Sequence, residues 1–275
     1  MTTATIPIDA LDYVCSVVRD RSAIELEASK SYLIEARLAP LAKQHGYAST
    51  TDYIQGLRAK RHPEQIQKLV EAMTTNETSF FRDIHPFNTL KNKLVEEFRL
   101  LRSSQRALNI WSAACSTGQE LYSIAMILRE HFPDLANWNV QLVGTDLSDD
   151  VLDRARNACY TQVEINRGLP ATLIAKYFVR NGMSWQLCPE LRAKATFKKL
   201  NLIEPWPFMP KMDIVFLRNV LIYFSPETKR KILKKVQQVM APQAVLFLGG
   251  AETTMGLDDS FERVEADKSV FYRVR

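Results

Sequence analysis

The sequence lacks several motifs that would assign a function directly. It contains no Gly-x-x-x-x-Gly-Lys-[Ser/Thr] phosphate-binding loop and no Gly-x-Ser-x-Gly nucleophile elbow, which argues against a phosphate-loop NTPase and an α/β-hydrolase. Its four histidines have no His-Glu-x-x-His spacing, so we expect no metal. Its four cysteines are widely separated, with no Cys-x-x-Cys pair, which predicts neither a zinc site nor a disulfide framework.

Long apolar runs are also absent. No stretch approaches the roughly 20 residues that a membrane-spanning helix needs, and the N-terminus has no basic start followed by an apolar core. We therefore expect a cytoplasmic protein. The 46% hydrophobic and 24% charged fractions are typical of a globular protein. A net charge of +5 favours an anionic partner, which can be nucleic acid, an acidic protein surface or an anionic membrane.

Apolar residues at helical spacing predict a small all-α domain of four helices over residues 8–72. The second helix is predicted from about Ser29 to Gly46, and Pro40 should kink or interrupt it. Between the third and fourth helices lies a basic cluster, formed by Arg58, Lys60, Arg61 and Lys68 with Lys43 nearby. This cluster is either a solvated surface or a docking patch for an acidic partner.

From residue 107 onward, predicted strands and helices alternate, which favours an α/β domain with a mainly parallel sheet. The strands are predicted at 107–112, 140–145, 213–217 and 244–249, and a closing hairpin at 261–264 and 270–274. The helices are predicted at 119–131, 149–158 and 227–240. Residues 160–200 break the alternation. Three short strands there, at 177–180, 185–188 and 195–200, are predicted to form an antiparallel insertion.

The strand ends are the expected ligand-binding positions, because open α/β sheets bind ligands at their carboxyl edge. The first strand leads into small residues with one glycine, Gly118, instead of the three glycines of the dinucleotide fingerprint. Asp146 ends the second strand, where an acidic residue can bind ribose hydroxyls or simply begin a helix. Arg218 and Asn219 follow residues 213–217, where they either reach a ligand or form a surface ion pair and a cap.

Four stretches stand in a specific order and spacing. They are Thr-Asn-Glu-Thr-Ser-Phe-Phe-Arg at 75–82, Trp-Ser-Ala-Ala-Cys-Ser-Thr-Gly-Gln-Glu at 111–120, Gly-Thr-Asp-Leu-Ser at 144–148, and Phe-Leu-Arg-Asn-Val-Leu-Ile-Tyr-Phe at 216–224. Together they resemble the CheR family of bacterial chemotaxis receptor methyltransferases along nearly the whole chain. The resemblance implies a Rossmann-like α/β S-adenosylmethionine-dependent methyltransferase domain with a small antiparallel β-subdomain insertion, preceded by an all-α N-terminal helical domain.

On this plan, residues 1–73 form a receptor-docking domain and residues 74–106 a linker that contributes to the cofactor site. Residues 107–275 form the methyltransferase domain, with the β-subdomain at about 160–200. The resemblance implies a protein-glutamate O-methyltransferase that forms γ-methyl esters on the cytoplasmic helices of transmembrane chemoreceptors and releases S-adenosylhomocysteine. This activity gives adaptation in chemotaxis. We expect a monomeric enzyme, recruited to membrane-embedded receptor arrays, that binds neither metal nor nucleic acid.

The family's cofactor-binding residues carry over by position. They are Asn76, Thr78, Arg82, Glu120, Asp146, Asn201, Leu202, Arg218 and Asn219. The resemblance implies that Arg82 contacts the methionine carboxylate, that Glu120 contacts the ammonium group, and that Asp146 holds the ribose hydroxyls. Tyr223 stands where the family places a tyrosine near the transferred methyl group, which implies a positioning role.

Three features depart from the family pattern. The arginine-rich second helix is interrupted at Pro40 and keeps only Arg37 and Lys43, so receptor docking is expected to rely on Arg58, Lys60 and Arg61. Gln119 replaces the first acidic residue of Thr-Gly-Glu-Glu, so the cofactor contact depends on Glu120. The turn at 180–185 has a single glycine, from which we expect weak or no binding of a receptor C-terminal pentapeptide.

Two other classes of function fit the same fold. A methyltransferase acting on another protein is one alternative. A nucleic-acid methyltransferase is disfavoured because Arg-Asn-Val-Leu at 218–221 replaces an Asn-Pro-Pro-aromatic motif. In addition, no basic stripe rich in aromatic residues is present to stack bases. A non-catalytic S-adenosylmethionine-binding regulator is disfavoured because the motif at 75–82 is intact.

Overall fold

The computed structural model of the protein describes residues 6–27, 30–60, 62–266 and 268–275. The chain divides into two compact units. One comprises residues 1–75 with residues 223–228, and the other comprises residues 76–222 with residues 229–275. Within the described ranges, no helix is both long enough and apolar enough to cross a bilayer.

The first unit is built from helices, as predicted. Its described helices are α1 (Ile8–Ser22), α2 (Ser31–Gln44), α3 (Thr50–Lys60) and α4 (Pro63–Met73). Helices α1 and α2 each pack against α3 and α4, and the helices bury apolar side chains such as Val14, Leu38 and Leu69 between them. This burial supplies most of the stability of short amphipathic helices.

The prediction that Pro40 interrupts the second helix is wrong, because α2 continues through Pro40 to Gln44. Leu38 and Ala42 lie four residues apart on one face of the helix, and both are buried. Their packing on both sides of the proline outweighs the loss of one backbone hydrogen bond. The predicted start of this helix near Ser29 lies outside the described residues.

The second unit begins with a helical segment that precedes the sheet. It consists of α5 (His85–Thr89), a π-helical turn (Leu90–Leu94) and α6 (Val95–Leu101). Phe87, Leu90, Leu94 and Phe98 recur at helical spacing and are all buried.

The main sheet of the described chain has seven strands in the order β6-β2-β1-β7-β8-β10-β9. They are β1 (Ala107–Ala113), β2 (Asn139–Asp146), β6 (Ala195–Lys199), β7 (Met212–Leu217), β8 (Met240–Leu248), β9 (Phe261–Ala266) and β10 (Ser269–Val274). Strands β6, β2, β1, β7 and β8 run parallel, and β10 is antiparallel to both β8 and β9. The strand order reverses between β1 and β7, which is the position where such sheets bind ligands.

Helices cover the faces of this sheet. They are α7 (Gln119–His131), α8 (Asp149–Asn157) and α12 (Pro226–Val239), with a 3₁₀ turn at Pro133–Asn137. At the start of α12, the Ser225 hydroxyl oxygen accepts from the Thr228 N–H at 3.3 Å, and Pro226 is the first helical residue.

A second, antiparallel sheet lies in the predicted insertion, with the order β3-β5-β4 in the described residues. Its strands are β3 (Cys159–Thr161), β4 (Phe178–Asn181) and β5 (Ser184–Leu187), accompanied by the short helices α9 (Gln162–Asn166), α10 (Ala171–Tyr177) and α11 (Pro189–Arg192). The assignment of residues 195–200 to this sheet is wrong. They form β6, which pairs parallel with β2 from Leu142 opposite Ala195 to Asp146 opposite Lys199.

Candidate active site

The turn between β1 and α7 forms one side of the candidate site. Ala114, Ser116 and Gly118 have left-handed backbone conformations, with φ of 56°, 49° and 89°. A Cβ at Gly118 would also lie 3.1 Å from the Ala155 Cβ. The single glycine of the motif is therefore required both by its backbone conformation and by close packing against α8.

Asp146, at the end of β2, connects this turn to its surroundings. Its carboxylate is buried and accepts hydrogen bonds from the Ser116 N–H at 2.9 Å and the Ser148 N–H at 3.1 Å. The Ser116 hydroxyl in turn donates to the Asn76 carbonyl at 2.7 Å. Three predicted elements, namely the linker, the turn after β1 and the end of β2, therefore meet at this point.

Glu120 and Arg218 form a buried ion pair between α7 and the end of β7. Arg218 Nη1 lies 2.8 Å from Glu120 Oε2, and the two side chains are 2% and 13% exposed. The Ser112 hydroxyl donates to Glu120 Oε1 at 2.8 Å. The possibility that Arg218 forms only a surface ion pair is therefore excluded.

Arg218 also holds the linker. Its Nη2 donates to the Arg82 carbonyl and to Asp83 Oδ2, both at 2.9 Å. Its Nε is buried and has no hydrogen-bond acceptor in the described part of the chain. Buried donors are normally satisfied by protein, water or ligand, so this unsatisfied donor fits a site that takes a polar ligand.

The aromatic pair in the linker anchors it to the second unit. Phe80 is fully buried and packs edge-on against Tyr160 and Phe178, with ring centroids 5.0 and 5.7 Å away. The Phe81 N–H donates to the Ser123 hydroxyl oxygen at 3.0 Å. The Phe-Phe sequence is therefore explained by packing.

Arg82 and Thr78 lie in this anchored segment, and both are half-buried. Arg82 Nη1 donates to the Glu77 carbonyl at 2.9 Å. The Glu77 carboxylate pairs with Arg167 at 2.6 Å, and the hydrogen bond and charge of Arg167 lower the pKa of Glu77. The linker is thus fixed by polar contacts at its start and by aromatic packing at its centre.

Asn201 and Leu202 lie just after β6, which runs parallel to β2. The Leu200 N–H donates to the Asp146 carbonyl at 2.9 Å, so this turn lies beside the residue that ends β2. Leu202 is buried, and the Asn201 side-chain oxygen accepts from the Ile203 N–H at 3.2 Å. The predicted residues of the second unit therefore come from neighbouring ends of β1, β2, β6 and β7.

The sequence pattern did not single out Glu252, whose carboxylate accepts backbone hydrogen bonds from the segment after β7. The Asn219 N–H, where the backbone is left-handed with φ of 58°, donates to it at 2.7 Å. Glu252 follows Gly249 and Gly250 at the end of β8. An acidic residue after a strand of the same sheet was the available signal.

Tyr223 and the predicted docking residues belong to the first unit. The Tyr223 carbonyl accepts from the Glu25 N–H at 3.0 Å, and its side chain is half-buried. Arg37 donates to the Met73 and Thr74 carbonyls at 2.7 and 3.0 Å, and burial lowers the pKa of its guanidinium. The arginine therefore holds the end of α4.

The other docking candidates are exposed. Lys43 and Lys60 are exposed, and Arg58 forms an exposed pair with Asp9 at 3.2 Å. Arg61 lies outside the described residues. An anionic partner can reach the described members of this set.

Two further groups bear on the chemistry. Cys115 is buried, and desolvation raises the pKa of its thiol well above the usual range, so it is a packing residue and not a nucleophile. Among the residues that the structure describes, no group of three or more His, Cys, Asp or Glu side chains is arranged to hold a metal ion.

The geometry specifies a class of enzyme. The Rossmann-like sheet presents the part-buried Glu120 carboxylate at the start of α7 and the buried Asp146 carboxylate at the end of β2. Arg218, at the end of β7, has an Nε donor with no acceptor among the described residues. These groups suit S-adenosylmethionine, because carboxylates accept hydrogen bonds from its ammonium and ribose hydroxyl groups and an arginine N–H donates to its carboxylate. The protein is an S-adenosylmethionine-dependent methyltransferase.

The chain belongs to the CheR methyltransferase family. The family's SAM binding domain matches residues 76–270, and its all-alpha domain matches residues 9–74. The chain is 38% identical over 257 residues to the chemotaxis protein methyltransferase Cher2 of Pseudomonas putida, covering 92% of this chain and 93% of that protein. It is 37% identical over 269 residues to chemotaxis protein methyltransferase 1 of Pseudomonas aeruginosa, covering 96% and 95%. It is also 35% identical over 279 residues to chemotaxis protein methyltransferase 1 of Vibrio cholerae, covering both chains completely.

Proposed function

We propose that this enzyme methylates glutamate side chains on the cytoplasmic helices of chemoreceptors, forming γ-methyl esters. The carrying observation is the buried Glu120–Arg218 pair beside the Asp146 carboxylate, in a chain whose relatives over its full length are named chemotaxis protein methyltransferases. The product of the cofactor is S-adenosylhomocysteine.

The cofactor-binding roles follow from charge. Glu120 would bind the ammonium group, and Arg82 the methionine carboxylate, as a charge-assisted pair. Asp146 would accept hydrogen bonds from the ribose hydroxyls, as an acidic residue at the end of the second strand of such a fold can. Asn76 and Thr78 would complete the site from the linker, and Asn201, Leu202, Arg218 and Asn219 from the strand ends. We propose residues 74–106 as the part of the chain that contributes to this site.

The reaction asks little acid–base chemistry of the protein. The cofactor supplies a methyl group on a sulfonium, which is a good leaving group. A glutamate with an unperturbed pKa of about 4.3 is already a carboxylate at neutral pH, so its oxygen needs no general base. The protein must align this oxygen with the methyl carbon and exclude water. We assign Tyr223 to positioning the carboxylate.

Docking is proposed to occur through the basic residues of the first unit. Exposed Lys43, Arg58 and Lys60 offer positive charge to an acidic helical surface of a receptor, and the same role is proposed for Arg37 and Arg61. We further propose a monomer without metal or nucleic acid, recruited to receptor arrays in the cytoplasm. The turn around Gly182 is proposed to bind a receptor C-terminal pentapeptide weakly or not at all.

The test is to incubate the enzyme with labelled S-adenosylmethionine and receptor-containing membranes, and then to treat the products with mild base. A methyl ester releases labelled methanol, whereas a methylated base or amine retains the label. Label that appears in nucleic acid, or label that is stable to base, would overturn the proposal.

A further inference from the structure

The segment after β7 carries two of the proposed cofactor-binding residues and leads to Tyr223, the proposed positioning residue. Arg218 and Asn219 begin this segment, residues 218–222, and the chain continues into Tyr223. Asn219 has a left-handed backbone with φ of 58°. Because a residue other than glycine rarely adopts this conformation without support, something in the surrounding structure must stabilise it.

Glu252 provides this support. Its Oε2 accepts from the Asn219 N–H at 2.7 Å and from the Gly249 N–H at 2.6 Å. Its Oε1 accepts from the Val220 N–H at 2.9 Å and from the Ile222 N–H at 3.3 Å. Both carboxylate oxygens are therefore used to hold main-chain donors, and hydrogen bonds to an ionised acceptor are stronger than neutral ones.

The end of β8 is shaped to admit this carboxylate. The Glu252 N–H donates to the Gly249 carbonyl at 2.9 Å, which closes a turn. A Cβ at Gly249 would lie 2.7 Å from Glu252 Oε2 and 2.9 Å from the Asn219 nitrogen. The absence of a side chain at residue 249 therefore permits the carboxylate to reach the segment after β7.

The consequence for the site passes through Arg218. Its guanidinium joins Glu120 on α7 to the linker at Arg82 and Asp83. If the backbone of residues 219–222 shifts, the base of this side chain shifts too, and contacts 2.8–2.9 Å long do not survive a displacement of 1 Å.

We propose that Glu252 is a positioning residue for methyl transfer: its carboxylate fixes the backbone of residues 219–222 and thereby sets Arg218 and Asn219 for the cofactor. This role rests on the proposed cofactor-binding function of those two residues. Glu252 contacts no reacting atom in this role. It acts through the main chain, which distinguishes it from Glu120.

The experiment compares Glu252→Gln, Glu252→Asp and Gly249→Ala with Glu262→Gln as the exposed control. The glutamine keeps one oxygen acceptor but turns an NH₂ donor toward main-chain N–H groups, so the support is lost without a change in size. Gly249→Ala leaves Glu252 itself intact but brings a Cβ against both its carboxylate and the Asn219 side-chain amide, each at 2.7 Å, and it keeps the test available if Glu252→Gln does not fold.

The measurements are S-adenosylhomocysteine affinity by calorimetry, kcat and KM for the methyl donor, and amide hydrogen exchange of residues 219–222. We expect roughly tenfold or greater loss of affinity for Glu252→Gln and Gly249→Ala, with faster exchange confined to residues 219–222 and 249. Glu252→Asp should recover part of the affinity. A purely structural role would instead accelerate exchange throughout the unit and leave the affinity of the folded fraction unchanged.

Arg218→Lys and Asn219→Ala, measured in parallel, separate this inference from the proposed function. If they lose cofactor affinity and folded Glu252→Gln binds like the wild type, the role of Glu252 is wrong. If Arg218→Lys, Asn219→Ala and Glu252→Gln all bind like the wild type, the proposed cofactor site is wrong, and the role of Glu252 is wrong with it.

Discussion

Gly168 lies directly against the backbone of Phe80. A Cβ at Gly168 would overlap the Phe80 carbonyl oxygen, and Gly168 has a left-handed backbone with φ of 89°. The close approach seats the linker beside the small antiparallel sheet, where Phe80 packs against Tyr160 and Phe178. The position of the linker therefore depends on a residue about 90 positions later in the chain.

Gly168→Ala should therefore destabilise the protein and weaken cofactor binding. Left-handed strain costs on the order of 1–3 kcal/mol, and the overlap with Phe80 adds to it. Urea unfolding and S-adenosylhomocysteine titration measure the two effects. Gly182→Ala is the matched control, since Gly182 also has positive φ, at 60°, but no other described atom within 4 Å of its Cβ position. Equal losses in the two variants would show that the contact with Phe80 has no effect.

Glu120→Gln should lower both stability and cofactor affinity. Arg218 keeps its ion pair with the exposed Asp83 carboxylate at 2.9 Å, so the loss of the Glu120 charge should cost less than the roughly 3–5 kcal/mol of a buried charge left without a partner. Denaturation gives the stability loss, and calorimetry gives the affinity. Glu190→Gln, at an exposed position on α11, should leave both quantities unchanged. Wild-type affinity in folded Glu120→Gln would remove Glu120 from the cofactor site.

Tyr223→Phe should keep cofactor binding and lower turnover. The substitution removes only the phenolic hydroxyl, so the fold of its unit is preserved. Misalignment of the attacking carboxylate would reduce kcat roughly tenfold to a hundredfold. Steady-state kinetics with receptor-containing membranes and S-adenosylhomocysteine titration separate the two effects. Wild-type turnover would contradict the positioning role.

Cys115 should resist thiol reagents in the native enzyme. Burial raises the pKa of this thiol, and its Cβ faces the packed region under Gly144, where a Cβ would lie 2.9 Å from the Cys115 sulfur. Mass spectrometry after brief alkylation should find Cys159 and Cys188, which are both half-buried, labelled before Cys115. Labelling of Cys115 should appear only on unfolding. Rapid native labelling that leaves activity intact would contradict the buried, inert assignment.

The contribution of Glu130 to stability should fall in acid. Hydrogen bonds from Lys176 and Tyr177 lower the pKa of the Glu130 carboxyl below its ordinary value of 4.5. A depressed folded-state pKa means that the stabilisation is present above about pH 4.5 and is lost as pH falls through the folded pKa. The stability difference between wild type and Glu130→Gln, about 1 kcal/mol or less for such a pair, should therefore shrink from pH 7 to pH 3. A difference that grows in acid would contradict this linkage.

Much of this fold follows from periodicity and strand-end chemistry. The strands and helices around Gly118 and Asp146 fall where the pattern predicts them, because each is a long amphipathic or buried segment bounded by turns. The prediction that residues 195–200 belong to the small antiparallel sheet was wrong for a physical reason. A five-residue strand carries no information about its partner, and β6 joined β2 because Phe197 packs beneath Gly144.

Other features depend on contacts that no local pattern encodes. Arg218 could be read as a surface cation until its partners on α7 and the linker were known. Glu252 supports the segment after β7 from a position about 30 residues later in the chain, and the pairing depends on the adjacency of β7 and β8. Pro40 inside α2 shows the same principle, since tertiary packing overrode a strong local preference.

Because β6 belongs to the main sheet, the insertion has a supporting role that is separate from the sheet itself. Residues 158–194 are part of the connection between β2 and β6. They contribute no strand to the main sheet, so the insertion could be shortened without removing a strand of that sheet. Yet this connection supplies Tyr160 and Phe178, which pack against Phe80, and Gly168, which lies against the Phe80 backbone. The insertion therefore stabilises the position of the linker. Shortening the insertion would release the linker, which lies far upstream in the chain, and would leave the main sheet intact.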